Sequence, residues 1–252
     1  MFLKLLNRVF VASLVMMVSF PSFAADKIGN VVAVVGSPSA SGPSGNRSLK
    51  KDSEVFEDDT ITVTTGNAQL ILNDGTRIVV GPSSKLLLDQ FVMGEKSKAK
   101  SVAIKGLRGT YRFITGKSDK SAYKIATAHG TIGIRGTAFD FWSREKTGAV
   151  VLRGKVTLKS VNGPRIDVNA GCQMGEATLG TAKLLGNKDK VASIKKNLPF
   201  LLDQSQLTPR FRLNVTSCRL TSTQNPDDSD PSGPNRQNER IQQQRTFGNG
   251  ND

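Results

Sequence analysis

The residues with the clearest chemical potential lie within residues 127–139, where three glycines recur at a spacing of three around a single arginine. Glycine weakens a strand unless the backbone bends there or another group passes close by. Gly130, Gly133 and Gly136 therefore indicate a constrained backbone. Arg135 among them could bind an anionic ligand, or it could hold the fold together through its several hydrogen-bond donors.

Templates for catalysis and nucleotide binding do not fit this stretch or its neighbours. His129 is the only histidine, and no serine stands in the turn that exposes a nucleophile. Gly116-Lys117-Ser118 resembles the end of a phosphate-binding loop, but the required earlier glycine is Tyr111. The three glycines also lack the spacing of a dinucleotide site. We therefore predict a non-enzymatic protein with no catalytic residue and no cofactor.

The first 25 residues have the pattern of a secretory signal peptide. Lys4 and Arg8 give a positive start, residues 9–18 form an apolar run, and Ser22-Phe23-Ala24 fits a cleavage site. The run of about ten residues is short for a membrane span, although an uncleaved anchor stays open as an alternative. No later segment is long and apolar enough to cross a membrane. We expect a periplasmic protein with no transmembrane segment once the signal is removed.

Positive charge is concentrated in the middle of the chain. Loss of Lys4 and Arg8 would lower the formal net charge from +14 to +12, and residues 96–124 hold nine cations against Asp119 alone. Such a field attracts polyanions. In an exported protein it favours an envelope protein or an anionic envelope polymer or lipid over nucleic acid, while a merely solvated face is the alternative. The nine candidate residues are Lys96, Lys98, Lys100, Lys105, Arg108, Arg112, Lys117, Lys120 and Lys124.

Two cysteines, Cys172 and Cys218, are the only ones in the chain. In an oxidising compartment such a pair is more often bridged than free. The bridge would close a loop of about 47 residues and tie the C-terminal segment to the folded body, with a stabilisation of about 4 kcal/mol in the chain-entropy model. Two cysteines and one histidine do not suffice for a structural zinc site, so no metal is predicted.

The body of the chain reads as β-structure. Short β-branched or alternating runs are separated by turn signals such as Asp74-Gly75 and Gly81-Pro82. Many short strands without intervening helices describe a sandwich, barrel or solenoid. The Ser/Gly/Pro-rich residues 36–48 are expected to form a flexible loop. The predicted strands cover residues 31–35, 60–64, 68–72, 76–80, 85–88, 112–115, 122–127, 138–142, 149–152, 155–159 and 165–169.

The C-terminal part changes character. Apolar residues at a spacing of three to four predict one amphipathic helix within residues 188–206, broken or kinked near Pro199. The polar residues 221–252 cannot bury enough surface to fold and are predicted to be a disordered tail. The resulting division is a signal peptide (1–25), an N-terminal strand and loop (26–59), a β domain (60–171), a helical appendix (172–220) and the tail.

Several motifs in the β domain resemble those of the FecR domain family, in the family's order. Asn73-Asp74-Gly75-Thr76 forms its Asp-Gly turn, followed by Gly81-Pro82-Ser83-Ser84, and residues 107–113 precede Gly116. The most recognisable string is Gly133-Ile134-Arg135-Gly136-Thr137, followed by Phe139. Residues 151–156 and 168–171 then fit the closing strands, so the resemblance covers about residues 60–171.

The resemblance implies an all-β fold, a solenoid- or roll-like stack of short strands, and a non-catalytic role. In the regulators that give the family its name, the domain lies outside the inner membrane and receives a signal from a receptor, and a cytoplasmic part controls a sigma factor. We expect no counterpart of that cytoplasmic part in this protein. We therefore expect a protein that binds an envelope partner, with a scaffold subunit of an envelope assembly as the alternative. The motif is expected to be mainly structural, with Arg135 donating hydrogen bonds inside the fold.

Overall fold

The computed structural model describes residues 26–218. The predicted signal peptide and the predicted tail lie outside these residues. Most of the described chain is strand, which confirms the all-β prediction. The strands are β1 (Lys27–Val35), β2 (Ser39–Gly42), β3 (Gly45–Ser48), β4 (Glu54–Phe56), β5 (Thr60–Val63), β6 (Asn67–Leu72), β7 (Arg77–Val80), β8 (Ser84–Met93), β9 (Ala99–Ile114), β10 (Tyr123–Thr127), β11 (Gly130–Ile134), β12 (Ala138–Ser143), β13 (Thr147–Arg153), β14 (Lys155–Ser160), β15 (Arg165–Asn169), β16 (Met174–Thr178) and β17 (Thr181–Leu184).

The strands form two open sheets that share β9. Sheet I has the order β4-β1-β6-β7-β9-β12-β13-β16-β17. Sheet II has the order β3-β2-β5-β8-β9-β10-β11-β14-β15. All pairs are antiparallel except β9 with β10. The first part of β9 belongs to sheet II and its last six residues to sheet I.

The chain moves between the sheets in hairpins, which produces the predicted roll. After β9 the hairpins β10–β11, β12–β13, β14–β15 and β16–β17 fall alternately in sheet II and sheet I. Each new hairpin extends its sheet by two strands. β9 changes sheets near Gly109, whose φ is +116° and where an added Cβ would stand 2.1 Å from Ser84 Oγ. Only glycine fits this bend.

The space between the sheets is filled by alternate residues of both. Sheet I contributes Phe113, Phe139 and Phe141, and sheet II contributes aliphatic side chains such as Ile132 and Leu158. The rings of Phe113 and Phe139 lie 5.6 Å apart between centroids. Each fully buried side chain of this kind contributes about 1.5–3 kcal/mol, so this inner layer accounts for the stability of the roll.

Two sequence expectations are wrong in this part. The flexible loop predicted over residues 36–48 is largely the hairpin β2–β3, which joins sheet II and places Ala40 in the core. The small polar residues of this hairpin have the composition of a flexible linker. They are nevertheless ordered as strands, because β2 pairs with β5 at the edge of sheet II. The helical appendix predicted from residue 172 begins instead with β16 and β17, which extend sheet I.

Within the described residues α-helices follow only after β17. The predicted helix occurs as α1 (Asn187–Asn197) and α2 (Pro199–Leu202), separated at Leu198, and Pro199 occupies the first turn of α2. One-turn 3₁₀ helices occupy Lys120–Ala122, Pro209–Phe211 and Thr216–Cys218. Residues 199–218, here called the strap, cross the outer face of sheet I. Within residues 26–218 no helix combines the length and apolar character needed to span a membrane.

Candidate interaction surfaces

The nine cations predicted as one basic face are spread over the molecule. Lys105 and Lys124 project from the outer face of sheet II, because their neighbours Ile104 and Ile125 point into the core. Lys98 forms an exposed ion pair with Asp119 at 3.3 Å. The remaining residues lie in or beside the β8–β9 turn (Lys96, Lys100), near the bend of β9 (Arg108), before β10 (Lys117, Lys120), and in the interior (Arg112).

Arg112 cannot bind an external partner, which corrects the sequence expectation. Its side chain is fully buried, and its Nε and Nη2 donate to the two carboxylate oxygens of Asp140 at 2.7 and 2.8 Å. The strap completes the coordination: Nη2 donates to Phe200 O and Nη1 to Phe211 O, both at 3.1 Å, and Nη1 also to Gln204 Oε1. The positive charge of Arg112 is therefore paired with Asp140 inside the fold and is not available at the surface.

The strap seals the outer face of sheet I. A row of side chains crosses this face from Gln69 through Val79, Arg112 and Asp140 to Val150. Gln69 Oε1 accepts from the backbone N–H and the hydroxyl of Thr208, at 2.9 and 3.0 Å. Apolar side chains of α1, of the strap and of the residue between them pack on the rest of the face. These are Ile194, Leu198, Phe200, Leu201, Leu207 and Phe211.

The predicted disulfide is confirmed. Cys172 and Cys218 are bonded, with their Cα atoms 5.2 Å apart. Both are buried beside Val150 and Met174, on the same outer face of sheet I. The bond therefore fixes the end of the strap to the loop between β15 and β16.

The outer face of sheet II carries no covering element among residues 26–218. One row across it runs Leu87, Lys105, Ala126, Thr131, Lys159 and Arg165, on adjacent strands from β8 to β15. The next row runs Ala103, Lys124, Gly133, Thr157 and Asp167. We call these two rows, with Lys85 and Lys155, the sheet II face.

Positive charge on the sheet II face exceeds its negative charge. Lys105 pairs with Asp89 at 2.7 Å, and Lys155 pairs with Asp167 at 2.7 Å. The hydrogen bond from Lys155, then that from Thr157, holds the pKa of Asp167 below its usual range. Within the described residues Lys85, Lys124, Lys159 and Arg165 have no acidic partner within 4.0 Å. These four cations give the face its net charge.

The floor between these cations consists of small or polar side chains. Ala103, Ala126, Thr131, Gly133 and Thr157 lie at successive positions, and Leu87 at one end is half-buried. Within residues 26–218 no aromatic side chain lies in either row, since the tyrosines and most phenylalanines of this region point inward. The face is therefore flat and cationic, without a ring on which a nucleic-acid base could stack.

The glycine–arginine motif links the two sheets. Ile134 and Phe139 enter the core, and Thr137 is buried, with Oγ1 donating to Arg153 O at 2.5 Å. Gly136 has a φ of +65°, a conformation that favours glycine. These residues carry the chain from β11 in sheet II to β12 in sheet I.

Two members of the motif do not have the structural role that the sequence suggested. Arg135 is exposed, and among the described residues its guanidinium donates no hydrogen bond; only its backbone N–H donates, to Lys155 O at 3.0 Å. A Cβ added to Gly133 would meet nothing closer than Thr157 O at 3.7 Å, an ordinary contact. The backbone therefore gives no reason for a glycine at position 133. A side chain there would change only the sheet II face.

The Asp-Gly turn of the sequence motif holds a buried hydrogen-bond network. Asp74 Oδ2 accepts from Thr76 Oγ1 at 2.8 Å, Ser118 Oγ at 2.7 Å and Tyr123 OH at 2.9 Å. The backbone N–H of Gly116 donates to Tyr123 OH at 3.0 Å. Burial raises the pKa of Tyr123, and the charge of Asp74 raises it further. The motif residues thus fix the turn after β6 to the segment before β10.

Four of the six cations on the sheet II face, Lys85, Lys155, Lys159 and Arg165, were not among the predicted residues. Lys155, Lys159 and Arg165 are distant in sequence from Lys105 and Lys124. The available signal was the alternation of Lys155 and Lys159 with the core residues Val156 and Leu158. That pattern predicts outward lysines but not which strands become neighbours.

Comparison with known proteins identifies part of the chain. The family model described as FecR protein matches residues 58–157, and no curated protein sequence matches the chain. Two crystal structures of a Parabacteroides distasonis ATCC 8503 protein, described as a candidate anti-sigma factor, are similar at 16% and 14% identity, with TM-scores of 0.42 and 0.41. The similar regions cover 54% and 53% of this chain and 63% of each of those chains. The match to the FecR family model over residues 58–157 overlaps the region whose sequence motifs resemble that family, which confirms the resemblance.

Proposed function

We propose that this FecR-domain protein is an exported, non-enzymatic binding protein, and that it recognises an anionic component of the cell envelope through the sheet II face. The observation that carries the proposal is the contrast between the two outer faces. Sheet I is sealed by the strap, whereas the sheet II face presents Lys124, Lys159 and Arg165 without an acidic partner among the described residues. Binding is therefore assigned to the second face.

Electrostatics favour an anionic partner. Exposed cations on one face raise the local concentration of polyanions and speed their association. Both acids that touch this face, Asp89 and Asp167, are already held by lysines, so the remaining positive charge is available to a partner. Within residues 26–218 no group of three or more His, Cys, Asp or Glu side chains is placed to hold a metal ion.

The periplasmic location rests on residues 1–25. Their positive start, apolar run and small residues fit an export signal. N-terminal sequencing of the protein from a periplasmic extract tests this. A mature chain that starts at Ala25 or Asp26 supports export, and an intact Met1 in the cytoplasmic fraction contradicts it.

The family offers signalling as the purpose of binding, and a scaffold role is the second candidate. The buried disulfide and the sealed sheet I favour a rigid body, as a scaffold subunit needs. The two roles separate in cells. Deletion of the gene should change transcription of a defined set of genes if the protein signals, and should only change envelope integrity if it is a scaffold.

Binding is tested by co-sedimentation of the mature protein with isolated envelopes over a range of salt concentrations. The variant pair Lys124→Glu/Lys159→Glu should abolish most binding, and salt should release the wild-type protein. The control Lys188→Glu/Lys195→Glu makes the same charge change on exposed positions of α1 and should bind like the wild type. Equal losses in both variants would show that net charge alone drives binding and would contradict a specific face.

A further inference from the structure

The composition of the sheet II face separates polymer partners from protein partners. Protein interfaces concentrate Tyr, Trp, Phe, Met and Arg in their centres and are depleted of Lys. The two rows instead contain Lys, Thr, Ala and Gly, and Leu87 is their only large apolar side chain. Such a face offers no buried anchor for a folded protein. It offers charge and hydroxyls over a flat floor.

The positions of the cations describe an extended ligand. Lys124 on β10 and Arg165 on β15 have no acidic partner among the described residues, and their strands are three apart, or roughly 14 Å at about 4.8 Å per strand. Lys159 stands on β14, directly opposite Arg165. A compact anion cannot reach all three, whereas a chain with regularly repeated negative charges can.

Hydroxyl groups lie between the cations. Thr131 stands in the row between Lys105 and Lys159, and Thr157 stands in the row of Lys124. These threonine hydroxyls can exchange hydrogen bonds with the hydroxyl groups of a sugar. A polyphosphate has no such hydroxyl groups. The absence of aromatic side chains from the two described rows removes the stacking that a single-stranded nucleic acid requires.

Resting on the proposed function, we infer that the ligand of the sheet II face is an acidic polysaccharide that lies across the strands, with its carboxylates over Lys124, Lys159 and Arg165. Gly133 keeps its path clear. A side chain at this position would stand in the row between Lys124 and Thr157, and the backbone gives no other reason for glycine there. The middle glycine of the motif therefore serves the ligand surface.

The test uses polygalacturonate as the probe, with isothermal titration of the mature protein. Lys124→Gln/Lys159→Gln should weaken binding about tenfold, because two exposed ion pairs are lost, while Lys188→Gln/Lys195→Gln should not. Gly133→Leu should also weaken binding and leave the midpoint of urea unfolding unchanged. Gly133→Ala should have a smaller effect in the same direction.

Three further probes separate the outcomes. Methyl-esterified polygalacturonate keeps the sugar chain without its charge and should not bind. Poly-L-glutamate and polyphosphate keep the charge without the sugar and should bind more weakly. If either polyanion binds as well as polygalacturonate and Gly133→Leu has no effect, the polysaccharide inference is overturned while the anionic binding face stands. If the protein binds envelopes but none of these polymers, the inference is overturned alone; if it binds neither, the proposed function falls as well.

Discussion

Arg112 on β9 and Asp140 on β12 stand directly opposite each other in sheet I and form a bidentate ion pair with both side chains fully buried. In the strap, the carbonyl oxygens of Phe200 and Phe211 and the side-chain Oε1 of Gln204 accept the three remaining guanidinium hydrogens. The pair therefore joins two central strands and the C-terminal segment at one point. It is an anchor for the strap and contributes no charge to the surface.

Removal of one partner should leave an uncompensated buried charge. Asp140→Ala is expected to lower the free energy of unfolding by about 3–5 kcal/mol, as measured by urea denaturation. The double variant Arg112→Met/Asp140→Leu should be less destabilised than the sum of the two single variants, because no charge is then left alone in the interior. Additive losses would contradict the coupling of the two residues.

Loss of the disulfide should release the end of the strap. The double variant Cys172→Ser/Cys218→Ser lacks the bond that joins two positions 46 residues apart. Its free energy of unfolding is expected to be about 4 kcal/mol lower than that of the wild type. Trp142, the only tryptophan, is buried among the residues that the bond holds in place. Its fluorescence should shift to longer wavelength in the variant or after reduction. Unchanged emission and stability would show that the strap stays in place without the bond.

The motif residues should differ sharply in their effect on stability. Gly136→Ala forces a side chain into a positive φ and should cost about 1 kcal/mol. Arg135→Lys and Gly133→Ala should each stay within about 0.5 kcal/mol of the wild type, because the first is exposed and the second has room for a Cβ. Thermal unfolding of the three variants compares them. A large loss for Arg135→Lys would restore the structural role expected from the sequence.

Both tyrosines should resist ionisation in the folded protein. The chain has two, Tyr111 and Tyr123, and burial raises the pKa of each. Since the unfolded chain ionises at about 10, the stability contributed by these groups is complete below that pH and is lost as pH rises through the higher folded pKa values. Absorbance at 295 nm should therefore rise only together with alkaline unfolding. A transition near pH 10 in a chain that is still folded would contradict their burial.

The fold was largely accessible from sequence because its signals are local. The alternation in β14 and the Asp74-Gly75 turn each act over a few residues, and each gave a correct strand or turn. The hairpin β2–β3 was missed because its serines and glycines carry no strand preference. It forms strands because β2 pairs with β5, which is distant in sequence from the hairpin turn.

The candidate site was less accessible because it depends on which strands become neighbours. Arg112 alternates with the buried Tyr111 and Phe113, which indicates the opposite face of the sheet. Only the strap, more than 80 residues further along the chain, turns that face into an interior. Lys159 in turn shares a row with Lys105 through three strand pairings that no local pattern specifies.

The strand common to both sheets gives the molecule a direct mechanical path. Lys105 and Arg112 lie seven positions apart on the same strand, so continuous backbone connects the outer face of sheet II with the sealed face of sheet I. We therefore expect force on a ligand at the proposed sheet II face to load β9 and, through Arg112, the strap and its disulfide. On this expectation the centre of the roll, and not its short edge strands, bears the tension.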